Sequence, residues 1–179
     1  MNVILYVLMI FILICIVLMW YILTYNKYQA FLIRINEAEA NIDSTLRKRF
    51  DLLAKSIGIV KVTIQEDVLT KLETLKSKKL TNFELDRSLY ESINEFHVLL
   101  ETYPELKTNE EIMKIMVGIS ESEIEISALR KYYNDIITDY NKLVRTFPSN
   151  VVGAFSKYKI RTYFDGKNME DEIMNDFKL

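Results

Sequence analysis

The first 26 residues contain no charged side chain, and Lys27 is the first ionised residue of the chain. As a helix, residues 3–25 would extend about 35 Å at ~1.5 Å per residue, which exceeds the ~30 Å hydrocarbon core of a bilayer. Thirteen of residues 3–18 are Val, Ile, Leu or Phe, and these residue types favour insertion into a membrane. The sequence therefore predicts a transmembrane signal anchor over residues 1–26, with the lipid bilayer as its partner.

The flanks of this segment predict how it is retained and oriented. Trp20, Tyr21 and Tyr25 cluster at its C-terminal end, where aromatic rings prefer the headgroup layer, and they are predicted interfacial anchors. A cleaved signal peptide would have a basic leading region and a small-residue cleavage site, and neither is present. Cations follow the segment, at Lys27 and Arg34, and none precedes it. The positive-inside rule then predicts a single-pass protein whose C-terminal domain is cytoplasmic.

The composition of the chain favours long helices and argues against several classes of partner. Gly occurs four times and Pro twice, and both residues interrupt regular structure. The 23 Lys and Arg residues nearly balance the 25 Asp and Glu residues, so no basic excess points to nucleic acid. The single cysteine, Cys15, lies in the apolar run, so no intramolecular disulfide can form.

A heptad pattern of apolar residues extends from residue 112 to residue 147, between the two prolines of the chain, Pro104 and Pro148. We call its two sets of positions the seam: Ile112, Ile119, Ile126, Tyr133, Tyr140 and Phe147, with Ile115, Ser122, Leu129, Ile136 and Leu143. A repeat of 3.5 residues over five heptads is typical of coiled-coil packing. We therefore predict that Tyr133, Tyr140 and Phe147 are buried. Asn134 and Asn141 lie beside the seam and are predicted to cap or bridge backbone groups of a neighbouring helix or the tail.

Two further amphipathic helices are predicted, at about residues 28–78 and 82–103, each with apolar residues three or four positions apart. The predicted fold is all-α. An N-terminal transmembrane helix is followed by an elongated antiparallel three-helix bundle with coiled-coil-like packing, or four helices if the tail adds a short one. The predicted divisions are the anchor at 1–26, the bundle at 27–148 and a tail at 149–179 that docks on the bundle.

Helix ends carry recognisable signals. Thr81 to Glu84 and Thr108 to Glu111 both read Thr-x-x-Glu, the capping-box pattern. Pro148 lacks an N–H and disfavours helical geometry at the preceding residue, so it should end the last helix. We expect it to turn the chain so that residues 151–155 fold back. The Arg-Lys-Arg tract at 47–49 is predicted to form a salt-bridged helix face, with Arg49 close to the seam.

Catalytic and metal-binding patterns are not found in the sequence. His97 is the only histidine, and position 94 is Asn, so the Glu-x-x-His pairs of a helical di-iron site are not formed. One histidine and one cysteine do not make a zinc motif, and there is no glycine-rich phosphate loop. The sequence therefore predicts that the protein is not an enzyme and has no catalytic, cofactor or metal site.

Several segments together resemble the LemA family of bacterial membrane-anchored helical proteins. They are Tyr25-Asn26 after the anchor, "EAEANID" at 37–43, "LRKRFDLL" at 46–53, "YPELKTNE" at 103–110, "YNDIITDYNKLVRTFPSNVVG" at 133–153 and "YF" at 163–164. This chain departs from the family at "LLAKS" and "IVKVTIQED", where many members have Pro-Asn, Gly-Tyr and His-Glu. The resemblance implies a helical bundle on one membrane anchor in a bacterial cell, and it implies no established enzymatic activity.

Two functional hypotheses follow. The first is a membrane-tethered helical scaffold or adaptor that mediates protein–protein interaction at the bacterial cell membrane, with membrane or cytoplasmic proteins as partners. Tyr133, Asn134, Tyr140, Asn141, Phe147 and Pro148 are its structural or interaction candidates. The alternative is a structural membrane protein that forms homo-oligomers through its own helix surfaces.

Overall fold

The computed structural model describes residues 2–64 and 80–165, and the regular structure within these ranges is entirely helical. There are five helices in them: α1 (Asn2–Ile64), α2 (Asn82–Thr102), α3 (Pro104–Lys107), α4 (Glu110–Arg145) and α5 (Ser149–Phe155). The predicted all-α class is confirmed for the described residues. The C-terminal end of the helix predicted at about 28–78, which includes Val68, Leu72 and Leu75, lies outside the described residues.

The N-terminal apolar segment and the following amphipathic segment form one helix, α1. The apolar side chains at its start are exposed, as in Ile4, Leu13 and Met19. Among the described residues, α1 is the one helix long and apolar enough to span a membrane by length and composition. This agrees with the predicted single-pass anchor.

Local capping explains where α2 and α4 begin. The Thr81 side chain accepts from the Glu84 N–H, and the Glu84 carboxylate accepts from the Thr81 N–H at 2.9 Å, so the first predicted capping box is confirmed. The second is wrong. Asn109 caps α4, because its side-chain oxygen accepts from the N–H groups of Glu111 (2.9 Å) and Ile112 (3.2 Å).

The described residues fall into two compact units. The first unit contains residues 2–37 and 133–163, and the second contains residues 38–64, 80–132 and 164–165. The predicted boundaries of anchor, bundle and tail remain predictions.

The second unit has an apolar core built from four helices. Its fully buried side chains come from each of them: Ile42, Leu46 and Leu53 on α1, Leu89 and Phe96 on α2, Leu106 on α3, and Ile112 and Ile126 on α4. All of them except Leu106 lie on the predicted apolar stripes of the three long helices. Burial of such stripes stabilises helices more than their intrinsic propensity does. Each of these Leu or Ile residues would cost about 2–5 kcal/mol if truncated to Ala.

Candidate functional site

The first unit is organised around a cluster of tyrosines. Tyr28 on α1 is fully buried, and its hydroxyl donates to the carbonyl of Leu143 at 2.8 Å or of Ser149 at 3.1 Å. The Ser149 hydroxyl also donates to the Leu143 carbonyl, at 2.7 Å. Leu143 lies in the last turn of α4, where carbonyls have no partner within the helix. Tyr28 therefore joins α1 to the end of α4 and the start of α5.

The rings of the cluster pack on one another. Tyr28 stacks on Tyr158 with 4.6 Å between ring centroids, and it meets Tyr140 edge-on at 6.1 Å. Tyr25 lies 6.2 Å from Tyr158, and Gln29 donates to the Tyr158 hydroxyl at 2.6 Å. Offset and edge-on pairs are the favourable arrangements of aromatic rings. The cluster thus holds the start of the tail against α1.

Burial is the largest influence on the acidity of these phenols. It raises the pKa of Tyr28, with smaller contributions from Tyr140 and Tyr158. It also raises the pKa of Tyr140, which the positive charge of Arg161 and a hydrogen bond to it oppose. Both hydroxyls are therefore neutral near pH 7, as ordinary tyrosines are, and act as hydrogen-bonding groups rather than as bases.

Asn141 fastens the tail to α4. Its amide nitrogen donates to the Arg161 carbonyl at 2.8 Å, and its amide oxygen accepts from the Arg161 N–H at 2.8 Å. The side chain is 1% exposed. Thr138 and Tyr163 add a hydroxyl–hydroxyl hydrogen bond of 3.2 Å. The predicted role of Asn141 as a bridge to tail backbone is confirmed.

The chain turns after α4 as predicted. The helix ends at Arg145, the Phe147–Pro148 peptide bond is cis, and α5 starts at Ser149. Val152 and Gly153 on α5 are buried. A Cβ at Gly153 would lie 2.7 Å from the Tyr28 hydroxyl oxygen. Only glycine allows the α5 backbone this approach without a shift.

The seam prediction succeeds at two of its three aromatic residues. Tyr133 is 8% exposed and Tyr140 is 2% exposed, so both are buried as predicted. Phe147 is 76% exposed, and its predicted burial is wrong. The heptad register applies only while the chain is helical, and α4 ends two residues before Phe147.

The remaining predicted residues lie in the same unit. Asn134 is half-buried and its carbonyl accepts from the Thr138 hydroxyl at 2.9 Å, while the role of its side chain stays a prediction. Pro148 is exposed in the turn. The three predicted interfacial residues follow one another on α1: Trp20 is half-buried, and Tyr21 and Tyr25 are exposed.

A buried charge cluster in the second unit was not predicted. Arg49 is fully buried and pairs with Asp86 at 3.1 Å and with Glu123, while Arg130 pairs with Asp86 at 2.5 Å. Burial lowers the pKa of Arg49, the charge of Asp86 opposes that shift, and Arg130 adds to it. The neighbouring tract residues form the salt bridges that were predicted, from Arg47 to Asp43 and from Lys48 to Glu125.

α4 also carries an exposed, mostly apolar stripe in the second unit, at positions 113, 117, 120, 124 and 128, each about one turn from the next. We call it the α4 stripe. Met113, Val117 and Ile124 are 50%, 55% and 71% exposed, and Ser120 and Ala128 are exposed between them. This face of α4 is separate from the seam, and the heptad pattern does not predict it.

These residues offer hydrogen-bonding groups and apolar surface. In residues 2–64 and 80–165, no three His, Cys, Asp or Glu side chains lie where they could hold a metal ion. Tyr28 and Asn141 donate to backbone carbonyls of the same unit, and Gln29 donates to the Tyr158 hydroxyl. The α4 stripe adds exposed apolar side chains that a partner could cover.

Comparison with protein-family models relates the chain to a known family. The model of the LemA family matches residues 38–177, which is 140 of the 179 residues. The matched part includes all of the described chain after Glu37. No curated protein matches the sequence.

Proposed function

The chain belongs to the LemA family, and from this premise we propose that it is a non-enzymatic scaffold or adaptor tethered to the bacterial cell membrane. Residues 1–26 anchor it, and the helices that follow bind membrane or cytoplasmic proteins. The anchor rests on the exposed apolar start of α1, whose length and composition suit a membrane span.

The α4 stripe is the observation that carries the protein-binding role. Large exposed apolar surfaces on soluble regions mark interaction sites. Spacings of four, three, four and four residues put these side chains on one face of the helix. A partner helix or groove could accept such a face. Nearby salt bridges from Lys55 to Glu111 and from Lys48 to Glu125 supply a polar border.

An antiparallel bundle is the arrangement that we propose for the second unit. Three contacts between α1 and α4 occur in opposite sequence order. Lys48 pairs with Glu125, Leu52 lies against Gly118, and Lys55 pairs with Glu111. Such an order is expected of neighbouring helices that run in opposite directions.

The same proposal places the helices after the anchor in the cytoplasm. Lys27 and Arg34 closely follow the apolar segment. Residues 140–163 of the first unit contain five Lys or Arg residues and no acidic residue. Cations near a membrane span favour the cytoplasmic side, where anionic lipids are also enriched.

Photo-crosslinking in native membranes tests the protein-binding role. A photoreactive residue would replace Ile124 in the α4 stripe, and in a matched control it would replace Asn94, an exposed polar residue on α2 of the same unit. Reproducible adducts with another protein at position 124, and not at 94, are expected. A chain that gives no protein adduct from position 124 would contradict the proposal.

Homo-oligomerisation is the second candidate, and the α4 stripe favours it as well. Two copies could pair through the same apolar face, as in symmetric dimers. Position 124 would then crosslink to a second copy of the chain, with no other protein attached. A strictly monomeric chain in detergent at every accessible concentration would remove this candidate.

A further inference from the structure

We propose that the α4–α5 turn forms a second membrane contact, in which Phe147, Val151 and Phe155 enter the headgroup layer beside the α1 span. Nearby lysines would bind anionic lipid headgroups. We call these three side chains the turn patch. The inference rests on the proposed anchoring by residues 1–26 and adds an attachment point that the anchor itself does not provide.

The turn patch is exposed although Val152 and Gly153, beside Val151, are buried. Phe147 and Phe155 are 76% and 77% exposed, and Val151 is 40% exposed. Val151 and Phe155 are one helical turn apart on α5, whereas Val152 and Gly153 face the interior. Three large apolar side chains within nine residues are thus exposed, two of them over most of their surface, which is typical of a surface with a partner.

The location of α5 along α1 points to lipid as that partner. Tyr28 lies only three residues after the predicted span of 3–25. α5 packs against it, because the Tyr28 hydroxyl donates to the Ser149 carbonyl and lies close to Gly153. Thr24, one helical turn nearer the N-terminus on the same side of α1, is 8% exposed. Protein therefore covers α1 down to the last turn of the apolar segment. The turn patch is carried by α5 and the turn before it, which pack on α1 next to this last turn.

The positive charge around the turn patch is a second reason to expect lipid as its partner. Residues 140–163 contain five Lys or Arg residues and no Asp or Glu. Lys27 and Lys142 line an open groove beside the cluster, together with Phe31, Leu143 and Ser149. Asp139 also lines it and lies 3.8 Å from Lys142. Aromatic side chains surrounded by cations are the usual composition of a surface that binds an anionic membrane.

The occupant is therefore a bilayer and not a second protein. The patch is carried by an element fixed to the end of the membrane segment, so a bilayer that contains the segment is already within reach. A helix lying in an interface typically buries its apolar face by about 5–10 Å, a depth that exposed phenylalanine side chains can reach.

Depth-dependent quenching in liposomes tests this contact with the full chain. Cys15 would be changed to serine, and Phe155→Cys, Asp135→Cys and Leu13→Cys would each be labelled with an environment-sensitive fluorophore. Asp135 is exposed on α4 in the same unit, and Leu13 lies within the span. The liposomes would contain anionic lipid and lipids brominated either near the headgroup or near the chain end.

The proposal expects the label at position 155 to lose emission, and to lose more with bromine near the headgroup. The label at 135 should keep its emission, and the label at 13 should be quenched most by deep bromine. Quenching at 13 without quenching at 155 would overturn the turn contact and leave the anchor intact. No quenching at 13 would refute the anchor.

Two further results would also overturn the inference. A blue shift at position 155 that grows with protein density, without quenching by brominated lipid, would assign the patch to a second copy of the chain. Equal quenching at position 155 with and without anionic lipid would overturn the role of the lysines. Under the proposal, omission of anionic lipid reduces the quenching.

Discussion

Truncation of Tyr140 to alanine should destabilise the fold itself, and this prediction separates a packing role from a binding role. Tyr140 is 2% exposed and packs edge-on against Tyr28. Removing a buried aromatic ring typically costs about 3–5 kcal/mol, since the cavity remains partly unfilled. At about 2–4 °C per kcal/mol for a chain of this size, the melting temperature should fall by about 6–20 °C.

Two variants provide matched controls for this measurement. Tyr140→Phe keeps the ring and loses only the hydrogen bond between the hydroxyl and Arg161, which should cost about 0.5–1.5 kcal/mol. Tyr132→Ala makes the same truncation on the same helix at a side chain that is 46% exposed, and a surface change of this kind stays within roughly 0.5 kcal/mol.

The assay is a thermal melt of the full chain in lipid nanodiscs, followed by near-ultraviolet circular dichroism, which reports tyrosine packing. The expected order of destabilisation is Tyr140→Ala, then Tyr140→Phe, then Tyr132→Ala. A Tyr140→Ala variant that melts within about 2 °C of the parent, a shift worth less than roughly 1 kcal/mol, and that loses a crosslinked partner would refute the reasoning. It would show that Tyr140 belongs to a binding surface.

Four further outcomes are expected. Asp86→Ala should cost about 3–5 kcal/mol in the same melts, because it removes the carboxylate that Arg49 and Arg130 share and leaves fully buried Arg49 with the half-exposed carboxylate of Glu123 alone; a loss below 1 kcal/mol would contradict the buried pairing. Gly153→Ala should cost about 1–3 kcal/mol through the clash with Tyr28, whereas Gly58→Ala, with nothing within 4 Å, should stabilise by about 0.5–1 kcal/mol. Burial raises the pKa of Tyr28 in the folded state, so its contribution to stability should be fully present below about pH 10 and be lost as the pH rises further; a flat alkaline profile in pH-dependent melts would argue against it. A cysteine at exposed Lys131, in a chain whose native cysteine is serine, should escape a membrane-impermeant thiol reagent in intact cells, and labelling there would contradict the cytoplasmic orientation.

Hydrophobic periodicity was sufficient to locate the long helices and most of the core. Ile112, Ile119, Ile126 and Tyr140 are buried as the seven-residue spacing predicts. Periodicity records which side of a helix is apolar, and burial follows from it wherever the helix continues. It failed at Phe147 because the helix ends at Arg145, and beyond that point the spacing no longer determines a direction.

The buried charge cluster is a feature that the sequence pattern did not predict at all. Arg49 and Asp86 lie 37 positions apart, and a charged residue beside an apolar stripe is usually solvated. Only the packing of α1 against α2 brings the two together, so sequence spacing within either helix could not reveal the pair. The capping of α4 by Asn109 rather than Thr108 is a similar case at short range, because both residue types favour N-cap positions.

The distribution of satisfied polar groups argues that the tyrosine cluster is structural and that the association we propose uses other surfaces. Asn141 uses its amide oxygen and one amide N–H on Arg161, and Tyr28 offers its hydroxyl hydrogen to tail-proximal carbonyls. A ligand that used these groups would have to displace existing hydrogen bonds, and a buried polar group left without a partner costs about 1–3 kcal/mol. The α4 stripe and the turn patch carry no such penalty, because their apolar side chains already face solvent. Covering them gains about 25 cal/mol for each Å² removed from water. Partner binding at these two surfaces is therefore energetically easier than binding at the segment whose tyrosines and asparagines first suggest a site.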